Sequence, residues 1–238
     1  MRKIVIIFIF IISFVYVLLG NNKIDRKSLV LRHNVVMTKA DALSPVSVGN
    51  GHFCCTVDIT GMQSFPEFYE LGIPLSIMSE WGWHRAPNMN NYKLFDTFKF
   101  LQTENKKVPY PIKNTSGYEY LRANPHQTGL ALIGLEKIKG DLSLTDLKKT
   151  VQTLNLWEGL LNSSFEISGK PVEIKTLSHP YIDRLAYKLK SDLFSLNELG
   201  IRIRFPYPSM THSKNPITVD SNNSHQSKII KEGNGFWL

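Results

Sequence analysis

The chain has 238 residues, of which 42% are hydrophobic and 11% aromatic. That suits one large globular domain, with or without a short tail, and excludes disorder throughout. The formal charge is +8, but the basic residues form no dense block, no nucleic-acid motif and no stripe interleaved with aromatics. A solvated basic surface is the simpler reading, and a nucleic-acid partner is not expected.

The N-terminus carries the compartment signal. Arg2 and Lys3 precede an apolar run from Ile4 to Leu19, relieved only by Ser13 and the hydroxyl of Tyr16, and Gly20-Asn21-Asn22 ends it. Charge followed by an apolar run is the pattern of a secretory leader. The run falls slightly short of the roughly 20 residues that a spanning helix wants. Leu18 and Gly20 match a small-x-small cleavage site poorly, so an uncleaved anchor stays open beside a cleaved leader, as does a buried core helix. The run has no polar face, which excludes an amphipathic surface helix, and no cysteine follows to take a lipid. Residues 1–20 are expected to be a signal peptide or anchor. The product would be exported, whether periplasmic, extracellular or membrane-anchored, and would touch a membrane only through this segment.

Residues 21–28 form a polar connector, and Leu29 to Met37 reads as an extended segment. Asp41 to Pro45 is a turn region, since Pro45 biases Ser44 away from helix. Gly49-Asn50-Gly51 is a tight-turn signal. A strand follows, with Phe53, Cys55, Val57 and Ile59 on one face and Cys54, Thr56 and Asp58 on the other. The adjacent cysteines would point to opposite faces and make a poor disulfide. With no CxxC motif, they read as small apolar strand residues.

Residues 62–91 have no stable period and are rich in Pro, Gly and aromatics. They read as a long structured loop, a feature that is often functional. Strand character returns at Tyr92–Phe95 and Thr97–Phe100, with a turn at Glu104–Lys107 and an aromatic, turn-rich stretch from Tyr110 to Asn124. Leu130–Leu135 is a short apolar strand interrupted by Gly134. Leu144, Leu147 and Val151 suggest a short helix. Phe165 and Ile167 alternate with polar residues up to the turn at Ser168-Gly169-Lys170-Pro171. Val172, Ile174 and Thr176 then alternate on the return, a hairpin signal. Leu185, Tyr187 and Leu189 predict a further strand. Ile201, Ile203 and Phe205 predict another, with Arg202 and Arg204 outward. Successive antiparallel strands with one wet face must stack to bury the other. The predicted fold is therefore mostly β, an antiparallel β-sandwich over 29–208 with a long aromatic loop, followed by a polar tail at 209–238.

The chemistry-bearing residues are sparse. Glu67, Glu70 and Glu80 lie in the aromatic loop, but their spacing does not fix a pair across a glycosidic bond. The histidines are scattered without HExxH or another short-range ligand set, so no metal is expected. There is no GxSxG, and no Lys-Ser/Thr pair follows Gly49-Asn-Gly51 to make a phosphate loop. No catalytic residue and no cofactor can be named. Ser79-Glu-Trp-Gly-Trp-His84 differs. Trp81 and Trp83 flank a glycine, with His84 and Arg85 next. Indole faces stack on the apolar faces of flat ligands such as sugars, and polar neighbours fix orientation. The plain alternative is that both rings plug a gap between loop and sheet, with Arg85 a rim charge. Asn114-Thr-Ser116, Asn162-Ser-Ser164 and Asn222-Asn-Ser224 match the glycosylation acceptor pattern.

Several stretches together resemble a known family. They are Arg32-His-Asn34, Leu43 to Gly51, Val57-Asp-Ile-Thr-Gly61, Phe65-Pro66, Gly72-Ile-Pro74 and Glu80-Trp-Gly-Trp-His84, then Asn124-Pro-His126, Ile133-Gly-Leu135, Leu154-Asn-Leu-Trp157, Ser178-His-Pro180 and Arg204-Phe-Pro-Tyr207. Over about residues 29–208 the pattern is similar to the N-terminal region of bacterial proteins related to glycoside hydrolase family 65, in the six-hairpin glycosidase superfamily. The resemblance implies a β-sandwich (supersandwich-like) joined by a linker to an (α/α)6 barrel that carries the general acid glutamate. Trp81 to Arg85 and the turn at Gly49 to Gly51, with Asn50, would face that barrel and help bind an oligosaccharide or polysaccharide. Only about 30 residues follow Pro208, too few for a barrel. The expectation is thus an accessory domain of a carbohydrate-active protein, partnered by a separately encoded barrel. A free-standing carbohydrate-binding or surface protein and a non-functional remnant are the alternatives, and activity of this chain alone is left undecided.

Overall fold

The computed structural model describes residues 24–206, together with the backbone of 207–208, 217–218, 230–232 and 235–237. The expected leader at 1–20, the third glycosylation motif and most of the polar tail lie outside the described residues. The fold is mostly β and built from several antiparallel sheets.

The chain enters through α1 (Arg26–Leu31), whose first turn is capped by the Asp25 carboxylate accepting from the Ser28 N–H at 3.1 Å. That cap corrects the extended reading of 29–37, because only β1 (Val35–Met37) is strand. β2 (Val46–Gly49) and β3 (Phe53–Val57) form a hairpin closed by Asn50-Gly51, where Gly51 takes φ +96°. The segment expected to be a long loop contains α2 (Pro66–Tyr69) and β4 (Ile77–Ser79). β4 adds to the far side of β3 and gives a three-stranded sheet, β2-β3-β4. β5 (Trp83–His84) follows on the same excursion.

A one-turn 3-10 helix at Leu94–Thr97 replaces the strand expected at 92–95. β6 (Phe98–Gln102) and β7 (Lys107–Pro111) then make an isolated hairpin. The turn-rich stretch holds α3 (Ser116–Ala123), capped by Thr115 accepting from the Tyr118 N–H at 3.2 Å. β8 (His126–Gln127) returns to pair with β5, and β9 (Leu132–Lys137) follows. The helix expected around 144–151 stops after one 3-10 turn, Leu144–Asp146, which Ser143 and Asp146 close as a capping box. Lys148–Asn155 is instead strand β10, with an irregularity where Lys149 takes φ +51°.

β11 (Leu160–Ile167) and β12 (Lys170–Ser178) form the predicted hairpin about Ser168-Gly169, and β13 (Leu185–Lys190) pairs with β12. With β1 and β10 they build a five-stranded sheet, β1-β10-β11-β12-β13. One face is wet, with Asn162, Lys175 and Lys188 in adjacent register. The other buries Leu161, Phe165, Val172 and Ile174. Leu161 shares a core cluster with Val46, Val48, Cys55 and Val57 of the smaller sheet.

After α4 (Asp192–Ser195), strand β14 (Leu199–Arg204) does not continue the large sheet but pairs with β9. Its faces are inverted relative to the alternation reading. Ile201 and Ile203 are 49% and 37% exposed, while Arg202 and Arg204 are partly covered. Directly opposed residues share a face. Arg202 opposes Gly134 and Arg204 opposes Leu132, so both arginines stand on the side where β9 lies against residues 63–64. There the Arg204 guanidinium donates to Glu67 at 2.8 Å. β15 (Tyr207–Pro208) pairs with β16 (Ile217–Thr218), and β17 (Ile230–Glu232) with β18 (Gly235–Trp237).

Asp58, expected on the outward face, is fully buried. Its carboxylate accepts from the Thr60, Ser64 and Phe65 N–H groups at 2.8, 2.6 and 2.9 Å and from the Thr60 hydroxyl. Burial pushes its pKa up to about 6 even against those hydrogen bonds. This one side chain gathers the donors of the turn that swings the chain out of β3. Cys55 is buried and Cys54 exposed, both free, as the strand period predicts.

Candidate functional site

Three short segments far apart in sequence meet beyond one end of the small sheet: the turn at 49–52, the chain from Ser79 to His84, and the loop from His179 to Arg184. Asn50 joins the first to the third. Its Oδ1 accepts from the N–H groups of His52 and Phe53 at 3.0 and 2.9 Å, and its Nδ2 donates to the carbonyls of His179 and Ile182 at 3.1 and 3.3 Å. The side chain that was expected to meet a ligand is thus committed to backbone, and its role is to hold the loop. His179 closes that loop from inside, with Nδ1 accepting from the N–H groups of Tyr181 and Ile182.

The anchored loop presents Asp183 to the aromatic segment. Trp81 Nε1 donates to Asp183 Oδ2 at 2.9 Å, and the Ser79 hydroxyl donates to the same oxygen. Trp83 is held by strand pairing, with β5 against β8 placing it opposite Gln127. The turn between the two rings is tight, since the Gly82 N–H reaches the Ser79 carbonyl and its own carbonyl accepts from the Thr128 N–H. Trp81 is 65% and Trp83 56% exposed. Neither ring plugs the core.

Between the 49–52 turn and the Ser79–Glu80 segment lies an open cleft of about 420 Å³, with His52, Cys54, Glu80 and Gln127 in its walls. His52 Nδ1 sits 2.7 Å from Glu80 Oε2, and the Glu80 N–H donates to the His52 carbonyl at 3.1 Å. The hydrogen bond to Glu80, then its charge, hold the His52 pKa above the ordinary histidine value, and Asp183 adds to this. The Glu80 carboxylate and the Gln127 amide give the cleft polar acceptors, and the Asp183 carboxylate lies nearby, bonded to Ser79 and Trp81. Such groups take hydroxyl donors, and the exposed indoles offer stacking faces.

His84 lies on the same excursion but turns toward His126, with ring centroids 5.3 Å apart. Arg85 lines a different hollow of about 460 Å³ with Tyr120 and Asn124. The structure thus keeps Trp81 and Trp83 on one tight turn, ties Asn50 to Trp81 through the 179–184 loop, and sets Arg85 apart. His52, Gln127 and Asp183 were not singled out from sequence. Of these, Asp183 had no signal at all, because its partner Trp81 is 102 positions away. Glu67 is taken by Arg204 and Glu80 by His52. Among the described residues no cluster of three potential metal ligands occurs, and no helix is long and apolar enough to cross a membrane. No family model, curated protein or solved structure matches the chain.

Proposed function

We propose that this chain is a carbohydrate-binding accessory domain, an antiparallel β-sandwich that shapes a sugar site together with an (α/α)6 barrel. The observation that carries the reading is the pair of exposed indoles, Trp81 and Trp83, on the segment that runs on from Ser79 and Glu80, two residues in the wall of the neighbouring cleft. Exposed aromatics on a pinned loop are costly unless something covers them, and saccharides match both the stacking faces and the acceptors. The resemblance to the glycoside hydrolase family 65-related N-terminal region supports the same partner. Export by way of the N-terminal segment belongs to the proposal, and N-terminal sequencing of the fractionated product tests it.

Titration of the purified chain with oligosaccharides, alone and with a barrel protein supplied separately, decides the function. Binding only with the barrel supports the accessory role. Binding by the chain alone supports the free-standing module, a reading favoured by the exposure of both rings. No binding in either arm overturns the proposal. No carboxylate pair across a sugar has been identified, so the chain alone should show neither hydrolysis nor phosphorolysis of glycosides. Turnover lost on mutating Glu80 would refute that expectation.

A further inference from the structure

Among the described residues no third strand pairs with the β6–β7 hairpin. It forms a two-stranded sheet by itself, and two-stranded ribbons are marginal in water without a third strand or a covering helix. Phe100, Leu101 and Tyr110 are each exposed by roughly half, with Phe100 at 50%.

Its hydrogen-bond phase can be read from its two ends. The Ile112 N–H donates to the Thr97 carbonyl at 2.7 Å, and the Thr103 N–H to the Lys106 carbonyl at 2.9 Å. Bonded and non-bonded pairs alternate along an antiparallel ladder. Lys99–Tyr110 and Leu101–Val108 are therefore the bonded pairs within the hairpin. Phe98, Phe100 and Gln102 on one strand, and Lys107, Pro109 and Pro111 on the other, turn their backbone groups outward. On β7 two of those outward positions are prolines, which have no N–H, so that edge cannot accept a full strand. On β6 the N–H and carbonyl of Phe100 and Gln102 and the carbonyl of Phe98 face out. Among the described residues only the Phe98 N–H of these groups is taken, by the Phe95 carbonyl. The hairpin therefore has one blocked edge and one open, apolar edge.

We infer that the open edge of β6 pairs antiparallel with β6 of a second copy of this chain, about a twofold axis at Phe100. The sequence Phe98-Lys-Phe-Leu-Gln102 is self-complementary in that register. Phe100 meets its twin as a bonded pair, and the Gln102 N–H reaches the Phe98 carbonyl of the other copy. Lys99 falls opposite Leu101, so no like charges meet in a protein of net charge +8. One face of the resulting four-stranded sheet carries a continuous apolar row, Pro109–Phe100–Phe100–Pro109. Moving the twofold axis to Lys99 would set two lysines directly opposite each other, and a one-residue slip sends the phenylalanines to opposite faces.

Variants of the full chain with one added cysteine, in mild detergent and in a Cys54→Ser background that keeps only the buried native Cys55, test the register. Phe100→Cys should form a covalent dimer on mild oxidation, because a bonded antiparallel pair has its Cα atoms about 5.5 Å apart, within disulfide range. Gln102→Cys should not, since its twin lies four residues away along the ladder. In sedimentation equilibrium the wild type should be dimeric at high micromolar concentration. Phe100→Lys, which sets two lysines face to face, should be monomeric with an unchanged circular dichroism spectrum. A monomeric wild type, or equal cross-linking of both cysteine variants, overturns the inference. So does a monomer that instead takes up an extended foreign peptide at this edge.

Discussion

Trp81 and Asp183 are joined by a 2.9 Å hydrogen bond from the indole Nε1–H to the carboxylate, across 102 positions of sequence. The bond fixes the edge of an exposed ring and leaves its faces open. In a variant that keeps Trp81 as its sole tryptophan, Asp183→Ala should lower the steady-state fluorescence anisotropy of the ring. Asp183→Asn, which still offers a carbonyl acceptor, should restore most of it. Equal anisotropy in all three proteins would mean that the carboxylate does not hold the ring.

The exposure of the two indoles sets a stability expectation. Truncating a buried tryptophan costs about 3–5 kcal/mol, whereas Trp81→Ala and Trp83→Ala should each cost below roughly 1 kcal/mol. That moves a melting midpoint by about 2–4 °C. The same changes should weaken oligosaccharide binding. Differential scanning calorimetry and titration separate the two effects, and unfolding by both variants would return the rings to the core.

Asp58 should be among the least replaceable polar residues. Asp58→Ala strands three buried N–H groups and a hydroxyl, a loss of at least about 3 kcal/mol in urea unfolding. Its raised pKa gives a defined pH effect. Between the ordinary value of 3.8 and about 6 the native state holds the proton more tightly than the unfolded chain. The stabilisation from this group is fully present below the lower value and is lost as pH rises through about 6. The difference in unfolding free energy between wild type and Asp58→Asn should follow that decline and flatten above it. A difference independent of pH would show that Asp58 is ionised when buried.

Gly134 tests the contact that captures β9. A Cβ there would come within 2.4 Å of the Gln63 carbonyl oxygen and 2.7 Å of its carbon, both backbone atoms that cannot swing aside. Gly134→Ala should therefore destabilise by roughly 2–4 kcal/mol. An unfolding midpoint within error of wild type would place β9 further from the 63–64 segment.

The sequence alone determined the elements whose signal is local. The period of two fixed β3, the β11–β12 hairpin, β13 and the opposite faces of Cys54 and Cys55. The same local composition marked Trp81 and Trp83 as unusual within a Pro- and Gly-rich stretch. Short-range caps that compete with propensity were harder to weigh, and the caps at Asp25, Thr115 and Ser143 redirected three segments. What only the tertiary structure decided was long-range. β14 left the large sheet for β9, its arginines turned inward to meet Glu67, and Asp58 became a buried acceptor for a turn. Asn50 was committed to the 179–184 loop, and Asp183 was brought to Trp81. Alternation states that a strand has two faces, but which face is covered depends on what packs there. For β14 that was settled by Gly134 lying against Gln63, a contact 71 positions apart that no local pattern encodes.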